Sequence, residues 1–460
     1  MEEYHLQDRN GTSIPIQVVQ NPFNASENGS RSNCEAWPNE EARYVIFKLG
    51  QETSKIESLA LTLGTVDRED FNSNDSFIEN EYIAVSFNGK NIDLLDKISG
   101  KSYKDVNTIE EEADAGDAWD FSKPQKECRV YNSSEFPSTC TLIEKGPVRF
   151  SLLIETKMEV PHHMELDERS TQMQPLNIKT IISLYRGINR ADISVEFDNQ
   201  ALDHRIRLKC HTDLNCDTIK SQGHFGIISR PVKYPYNTEN WKQTPDTFHF
   251  RGWVSMEEGK NGLGIACRGL YEYEPAHEDG STLYITILRG IGRMSKNVIS
   301  KRYNGTASPS IPIPQAQCTG INQFEYSFIP YDCSEDASCG NFIDNANGFI
   351  YPGISHLIRE KQREIFNDIE DPIYEIKNPR SSKNILISTF KRAVDYSGHI
   401  LRLWENEGIS TQIEVQLLKR FKRAFITNLN EEVIEEVRIE ENCLHLKFEP
   451  YKIITVLLCE

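Results

Sequence analysis

The chain has 460 residues, with 69 acidic against 51 basic side chains and a formal net charge of −18. That balance repels phosphate backbones and anionic lipid, so binding to nucleic acid or a membrane surface would need a local basic patch. The one basic run, KRFKR at 419–423, is short, is interleaved with Phe and reads as a solvated face, so no nucleic-acid or membrane partner is expected.

The first residues, MEEYHLQDRN, are acidic and lack the apolar stretch of a secretory signal. No apolar run approaches the roughly 18 residues of a membrane span. Eleven cysteines are scattered without a C-x-x-C. An odd, dispersed set in a long chain reads as reduced thiols, and the expected compartment is the cytoplasm.

Along the chain the dominant signal is alternation with period two. Val148, Phe150, Leu152 and Ile154 form one such set, and Ile193, Val195 and Phe197 another. Ile206, Leu208 and Cys210 alternate with Arg205, Arg207 and Lys209. Phe324, Tyr326 and Phe328, then Leu444, Leu446 and Phe448, repeat it near the C-terminus. This is the pattern of half-buried antiparallel strands. Turn signals punctuate it at FNGKN (87–91), EGKNG (258–262) and HEDG (277–280). Helical spacing occurs once, with Ile354, Leu357, Ile358, Ile365, Phe366 and Ile369 on one face. Two polar stretches, DREDFNSNDS (67–76) and SEDASCGNFIDNANG (334–348), read as boundaries. The expected organisation is a small β domain over 1–75, a large β-sandwich over 76–340, and a helix plus C-terminal β domain over 341–460. The expected fold is therefore mostly β: a large, many-stranded antiparallel sandwich with smaller β units before and after it and one short helix.

Two stretches invite a chemical reading. KCHTDLNC (209–216) gathers two thiols, a His and an Asp. On an extended strand Cys210 faces the core and His211 faces solvent, so the two cannot share a metal. His211 and Asp213 share a face, but a zinc site needs three or four protein ligands, and no third stands at a recognisable spacing. The expected metal set is none. DAGDAWDFSKP (114–124) combines a Gly, spaced acids and two aromatics. Aromatic rings stack on the apolar face of sugars and carboxylates accept sugar hydroxyls, so the stretch suits a carbohydrate site. A Trp anchoring a loop to the sandwich is the competing reading. No nucleophile elbow, P-loop, H-E-x-x-H or dinucleotide fingerprint is present, and no catalytic residue is assigned.

Several segments in order resemble the C-terminal β region of the family 38 glycoside hydrolases, the α-mannosidases, including the bacterial mannosylglycerate-hydrolase-like branch. They are ENEYIAVSFNGKNIDLLDKISGKSY (79–103), GDAWDF (116–121), LYRGINRADISVEFDNQALDHRIRL (184–208), VSMEEGKNGLGI (254–265), LYITILRGIG (283–292) and IPQAQCTGINQFEYSFIP (313–330). LISTFKRA and HILRLWEN extend the match more weakly to 406. The resemblance implies a galactose-mutarotase-like supersandwich and a role in retaining hydrolysis of α-mannosides, hence in mannose metabolism. It implies that Trp119, where the family usually has Tyr, reaches the sugar, flanked by Asp117 and Asp120. Asp203, His204 and Arg205 occupy the family's Asp-His-Arg strand and join the candidate substrate-binding set; if extended, His204 points with the core and Asp203 pairs with Arg205 on the other face. Replacing Tyr by Trp keeps the stacking surface and loses the phenolic hydroxyl.

The departure from the family is as informative. Its zinc is held in an N-terminal (β/α) barrel, followed by a helical bundle, whereas IQVVQNPF (16–23) resembles the first strands after the bundle. The expectation is a β portion without the zinc-binding barrel, inactive alone and partnered by a separately supplied barrel and bundle. A free-standing glycan-binding module and a ligandless structural remnant are the alternatives. A mannose-type carbohydrate is the expected partner, and sandwich edges make a homo-oligomer an expectation.

Overall fold

The computed structural model describes residues 71–165, 167–233, 247–276, 279–297, 307–333, 340–352 and 384–460, with strand backbones at 3–7, 13–14, 16–20, 43–47, 60–64 and 374–377. The chain is built of antiparallel strands, and the alternating segments are those strands.

The large sandwich pairs two sheets. The first has six strands in the spatial order Tyr131–Asn132, Thr108–Ala113, His204–His211, Thr282–Gly290, Glu272–Pro275, Phe248–His249. The second has nine. Its central members are Arg149–Pro161, Met173–Tyr185, Ala191–Asn199, Gly320–Asp332 and Asn261–Arg268, in that order. Alternate side chains from both sheets fill one core. Phe150, Leu152, Ile182, Ile193, Val195, Ile206, Leu208, Cys210 and Phe328 belong to it, so the period-two reading carries through to packing. A five-stranded sheet over 73–103 adds Ile78, Val85 and Leu94 to the same core. The C-terminal unit packs a five-stranded sheet against a three-stranded one around Leu401, Leu403, Val415, Leu444, Leu446 and Phe448.

The helix differs from expectation. The segment 353–373, where helical spacing was expected, lies outside the described residues. The described helix is Gly340–Ile350, most of it within the stretch 334–348 read as a polar boundary. Its Asn, Asp and Gly residues are poor helix formers. Tertiary packing decides instead: Phe342, Ile343, Ala346 and Phe349 form a buried stripe against Trp253, Ala266, Ile329 and Tyr331. Phe342 stacks on Tyr331 with centroids 4.5 Å apart and stands edge-on to Trp253 at 4.8 Å. Gly264 lies beneath, and a Cβ there would come within 1.9 Å of the Phe342 ring. No helix of the described residues is long and apolar enough to cross a membrane.

Candidate functional site

The strand Thr108–Ala113 reads TIEEEA and is buried along its whole length. Three consecutive glutamates are unusual in a buried strand, because an unpaired carboxylate is costly to desolvate. Register explains them. Glu110 faces Arg207 and Glu112 faces Arg205 on the neighbouring strand. Arg205 Nε and Nη2 donate to Glu112 Oε1 at 2.8 and 2.5 Å, and Nη2 also reaches Glu274 Oε2 at 3.1 Å. Arg207 Nη1 donates to the same Glu274 oxygen at 2.9 Å, and Arg207 also pairs with Glu110. Burial alone would lower the Arg207 guanidinium; Glu112, Glu274 and Glu110 instead push it up. One face of the six-stranded sheet is thus a paired lattice of three Glu and two Arg, with Lys209 3.8 Å from Glu110, roofed in part by Phe121, whose ring lies 3.6 Å from the Arg205 guanidinium.

The glutamate between, Glu111, points to the opposite face. It takes a hydrogen bond from His204 Nδ1 at 3.1 Å and pairs with Arg169. Burial would raise its carboxyl, but the hydrogen bonds from His204 and Arg169 and the Arg169 charge hold it below the usual range.

Beyond Ala113 the chain turns into the loop 114–124. Asp114 accepts the Gly116 N–H at 2.8 Å and Arg289 Nε at 2.7 Å. Asp117, fully buried, accepts the N–H groups of Trp119 and Asp120 on Oδ1 and that of Lys296 on Oδ2 at 2.9 Å. Lys296 Nζ and Arg289 Nη2 donate to the carbonyls of Ala115 and Asp117. Gly116 is required by space: a Cβ would meet the Asp120 carbonyl at 2.0 Å. The result is a rigid turn that projects Trp119, 59% exposed, from a buried polar base. Trp119 is therefore not buried against the sandwich.

The six sequence-chosen residues separate into three positions. Asp117, Trp119 and Asp120 share the loop, and Arg205 lies under it through Phe121. His204, fully buried, faces the core side with Glu111, as its alternation requires. Asp203 departs from expectation. Its φ of +55° is left-handed, so the extended alternation begins only at His204 and Asp203 does not pair with Arg205. Gln317 holds it instead, accepting its N–H at 2.9 Å and donating to its Oδ1 at 2.8 Å. The glutamates 110–112, Glu274, Arg289 and Lys296 were missed. The available signal was E-x-E in one strand complementary to R-x-R in another, which becomes legible only once the two strands are paired.

The strand ends at His211 and Asp213 is left-handed, with φ +52°, so the two meet across a turn and not on one strand face. His211 Nε2 stands 2.8 Å from Asp213 Oδ1, and Nδ1 stands 3.0 Å from Thr282 Oγ1. Both ring nitrogens are thereby occupied. Among the described residues no group of three or more His, Cys, Asp or Glu side chains converges to hold a metal, so the family's zinc does not fit here and no chemistry is routed through it.

Residues 78–293 match the model of the glycosyl hydrolases family 38 C-terminal domain, and 384–456 that of the family 38 C-terminal beta sandwich domain. A putative mannosylglycerate hydrolase of Halalkalibacterium halodurans is 22% identical over 401 residues, covering 82% of this chain and 41% of that protein. Among solved structures, a family 38 glycosyl hydrolase from Enterococcus faecalis superposes over all of this chain and 53% of its own, with a TM-score of 0.76 and 18% identity. An alpha-mannosidase from E. faecalis V583 gives 0.77 at 18% identity, with 51% of that chain covered. At that identity the likeness is one of fold. The chain spans 41% of the curated relative and about half of each solved structure.

Proposed function

This chain belongs to the family 38 glycoside hydrolases, carrying their C-terminal β region, and on that premise we propose that it forms the carbohydrate-contacting wall of a retaining α-mannosidase. The observation that carries the reading is the loop 114–124, in which a fully buried carboxylate, Asp117, spends its oxygens on backbone N–H groups to hold Trp119 out from the sheet. A flat aromatic face fixed in this way suits the apolar side of a sugar ring. Trp119 is the contact residue and Asp120 flanks it. Asp117 positions the turn, and Arg205 supports it through Phe121. His204 and Asp203 hold the adjoining strand end, through Glu111 and Gln317.

Retaining hydrolysis needs a nucleophilic carboxylate and a general acid about 5–5.5 Å apart. Asp117, buried and engaged by three backbone donors, is unsuited to either role. The proposal assigns the nucleophile, the acid and the zinc to a catalytic barrel outside residues 1–460, so that the chain alone is inactive. The test is hydrolysis of an aryl α-mannoside by the purified chain, alone and with a family 38 catalytic barrel supplied in trans. Turnover is expected only in the mixture, and Trp119→Ala should lower it at least tenfold. Turnover by the chain alone, or a mixture indifferent to Trp119→Ala, would overturn the reading.

A further inference from the structure

The nine-stranded sheet turns one face to the core and the other outward. The helix Gly340–Ile350 covers the part of the outer face around Trp253, Asn261–Arg268 and Gly320–Asp332. Beside the helix lies a cleft of about 230 Å³. It is on the sheet opposite to the one that carries the Trp119 loop.

Register builds its floor. Ser151, Ser183, Asp192 and Ser327 stand in one row across four strands, and Ile181, Ser194, Glu325 and Arg268 in the next but one. Ser151 Oγ donates to Glu144 Oε2 at 2.7 Å and shares a hydrogen bond with Ser183 Oγ at 2.8 Å. Glu144 takes a bidentate pair from Arg149 Nε and Nη2 at 2.6 and 2.7 Å. Arg190 pairs with Asp192 at 2.9 Å and Arg268 with Glu325 at 2.6 Å. The helix end closes one wall: Arg268 Nε and Nη2 cap the Phe349 carbonyl at 2.8 and 2.5 Å, and the guanidinium lies 4.3 Å from its ring.

Each carboxylate of the lining is thus paired, Glu144 with Arg149 and Glu325 with Arg268 inside the cleft and Asp192 with Arg190, which does not line it. A net-charged ligand gains nothing from such a lining. What remains uncommitted is polar. The Tyr185 hydroxyl accepts from Arg149 Nη1 at 3.3 Å and keeps its own proton to donate. Ser194 lines the cleft with a hydroxyl that can donate or accept. Asp192 spends Oδ1 on Arg190 and Ser327, leaving Oδ2 to accept. Ile143 and Phe349 add apolar surface. Donors and acceptors in a cleft whose carboxylates are already paired are what a neutral polyhydroxyl ring requires, with hydroxyls that both give and take hydrogen bonds. The volume lies below the roughly 300–1,000 Å³ of drug-sized pockets, which suits a single ring.

We infer that this cleft is a second carbohydrate-binding site, taking one neutral sugar ring, remote from the Trp119 loop. The ligand class follows from the lining, and the site does not depend on the function proposed for that loop. The test is calorimetric titration of the whole chain with methyl α-mannoside, in wild type, Trp119→Ala, Ser194→Trp and Tyr185→Phe. Ser194→Trp fills the cleft, and Tyr185→Phe removes one oxygen without changing shape, so it reports even if the larger substitution disturbs folding. A binding component that survives Trp119→Ala, falls at least tenfold in Ser194→Trp and weakens severalfold in Tyr185→Phe is expected. Loss of all binding in Trp119→Ala would overturn the cleft site and leave the loop reading standing. A component indifferent to both cleft variants, or no binding by wild type, would equally overturn it. Loss confined to the cleft variants, with Trp119→Ala unaffected, would keep the cleft site and remove Trp119 as a sugar contact.

Discussion

Replacing Arg205 by Met removes the cation at the centre of the Glu–Arg lattice while keeping an unbranched side chain under Phe121. Glu112 would lose both of its hydrogen bonds, those from Arg205 Nε and Nη2. Arg207 Nε remains 3.1 Å away, near enough to attract but not aligned as a donor. Glu274 loses one contact and keeps Arg207 Nη1. Removing one partner of a buried pair costs roughly 3–5 kcal/mol. The residual Arg207 charge places this site at the lower end, about 3 kcal/mol. For a unit of this size each kcal/mol moves the melting temperature by about 2–4 °C, so Arg205→Met should melt roughly 6–12 °C below wild type. The double variant Arg205→Met/Glu112→Leu removes the stranded charge as well. It should recover to within about 1 kcal/mol of wild type, since well-packed apolar replacements of buried pairs are often neutral. Thermal unfolding followed by calorimetry, with the single Glu112→Leu completing the cycle, measures the coupling. A single variant that melts within about 2 °C of wild type, or a double variant no better than the single, would refute the idea that charge pairing is what permits this strand to be buried.

Further outcomes follow from the same geometry. Gly116→Ala drives a Cβ into the Asp120 carbonyl, so the turn must open; Trp119 fluorescence should shift, and sugar contact at the loop should fall as far as in Trp119→Ala. Gly264→Ala meets the Phe342 ring at 1.9 Å and should lift the helix, exposing Trp253 to a fluorescence quencher. Glu111 gives a pH signature. Its folded carboxyl lies below the ordinary 4.5, so its contribution is complete above that pH and is lost as pH falls through the lower folded value. Melting temperatures of wild type and Glu111→Gln should therefore differ most near neutrality and converge in acid; a constant gap down to low pH would contradict the pairing with His204 and Arg169.

Much of this protein is set by local pattern. Alternation decides that 149–154, 193–197, 206–210 and 444–448 are strands and which side of each faces the core, because a pleated chain has only two faces. Turn glycines at 89, 259 and 280 take positive φ where the turn signals stand. The segments that carry the family likeness are likewise contiguous residues. Pairing between distant strands is different in kind. Whether E-x-E and R-x-R are solvated faces or one buried lattice depends on Thr108–Ala113 lying beside His204–His211, about 90 residues away in sequence and in contact only through the sheet. The same holds for the left-handed Asp203 tied to Gln317, for the helix made from a polar stretch because four apolar side chains find Tyr331 and Trp253, and for the cleft assembled from four strands in register. Local propensity and periodicity are written in consecutive residues; neutralising a buried charge, overriding a weak helix and shaping a cavity depend on which distant residue arrives opposite, and that only the tertiary structure decided.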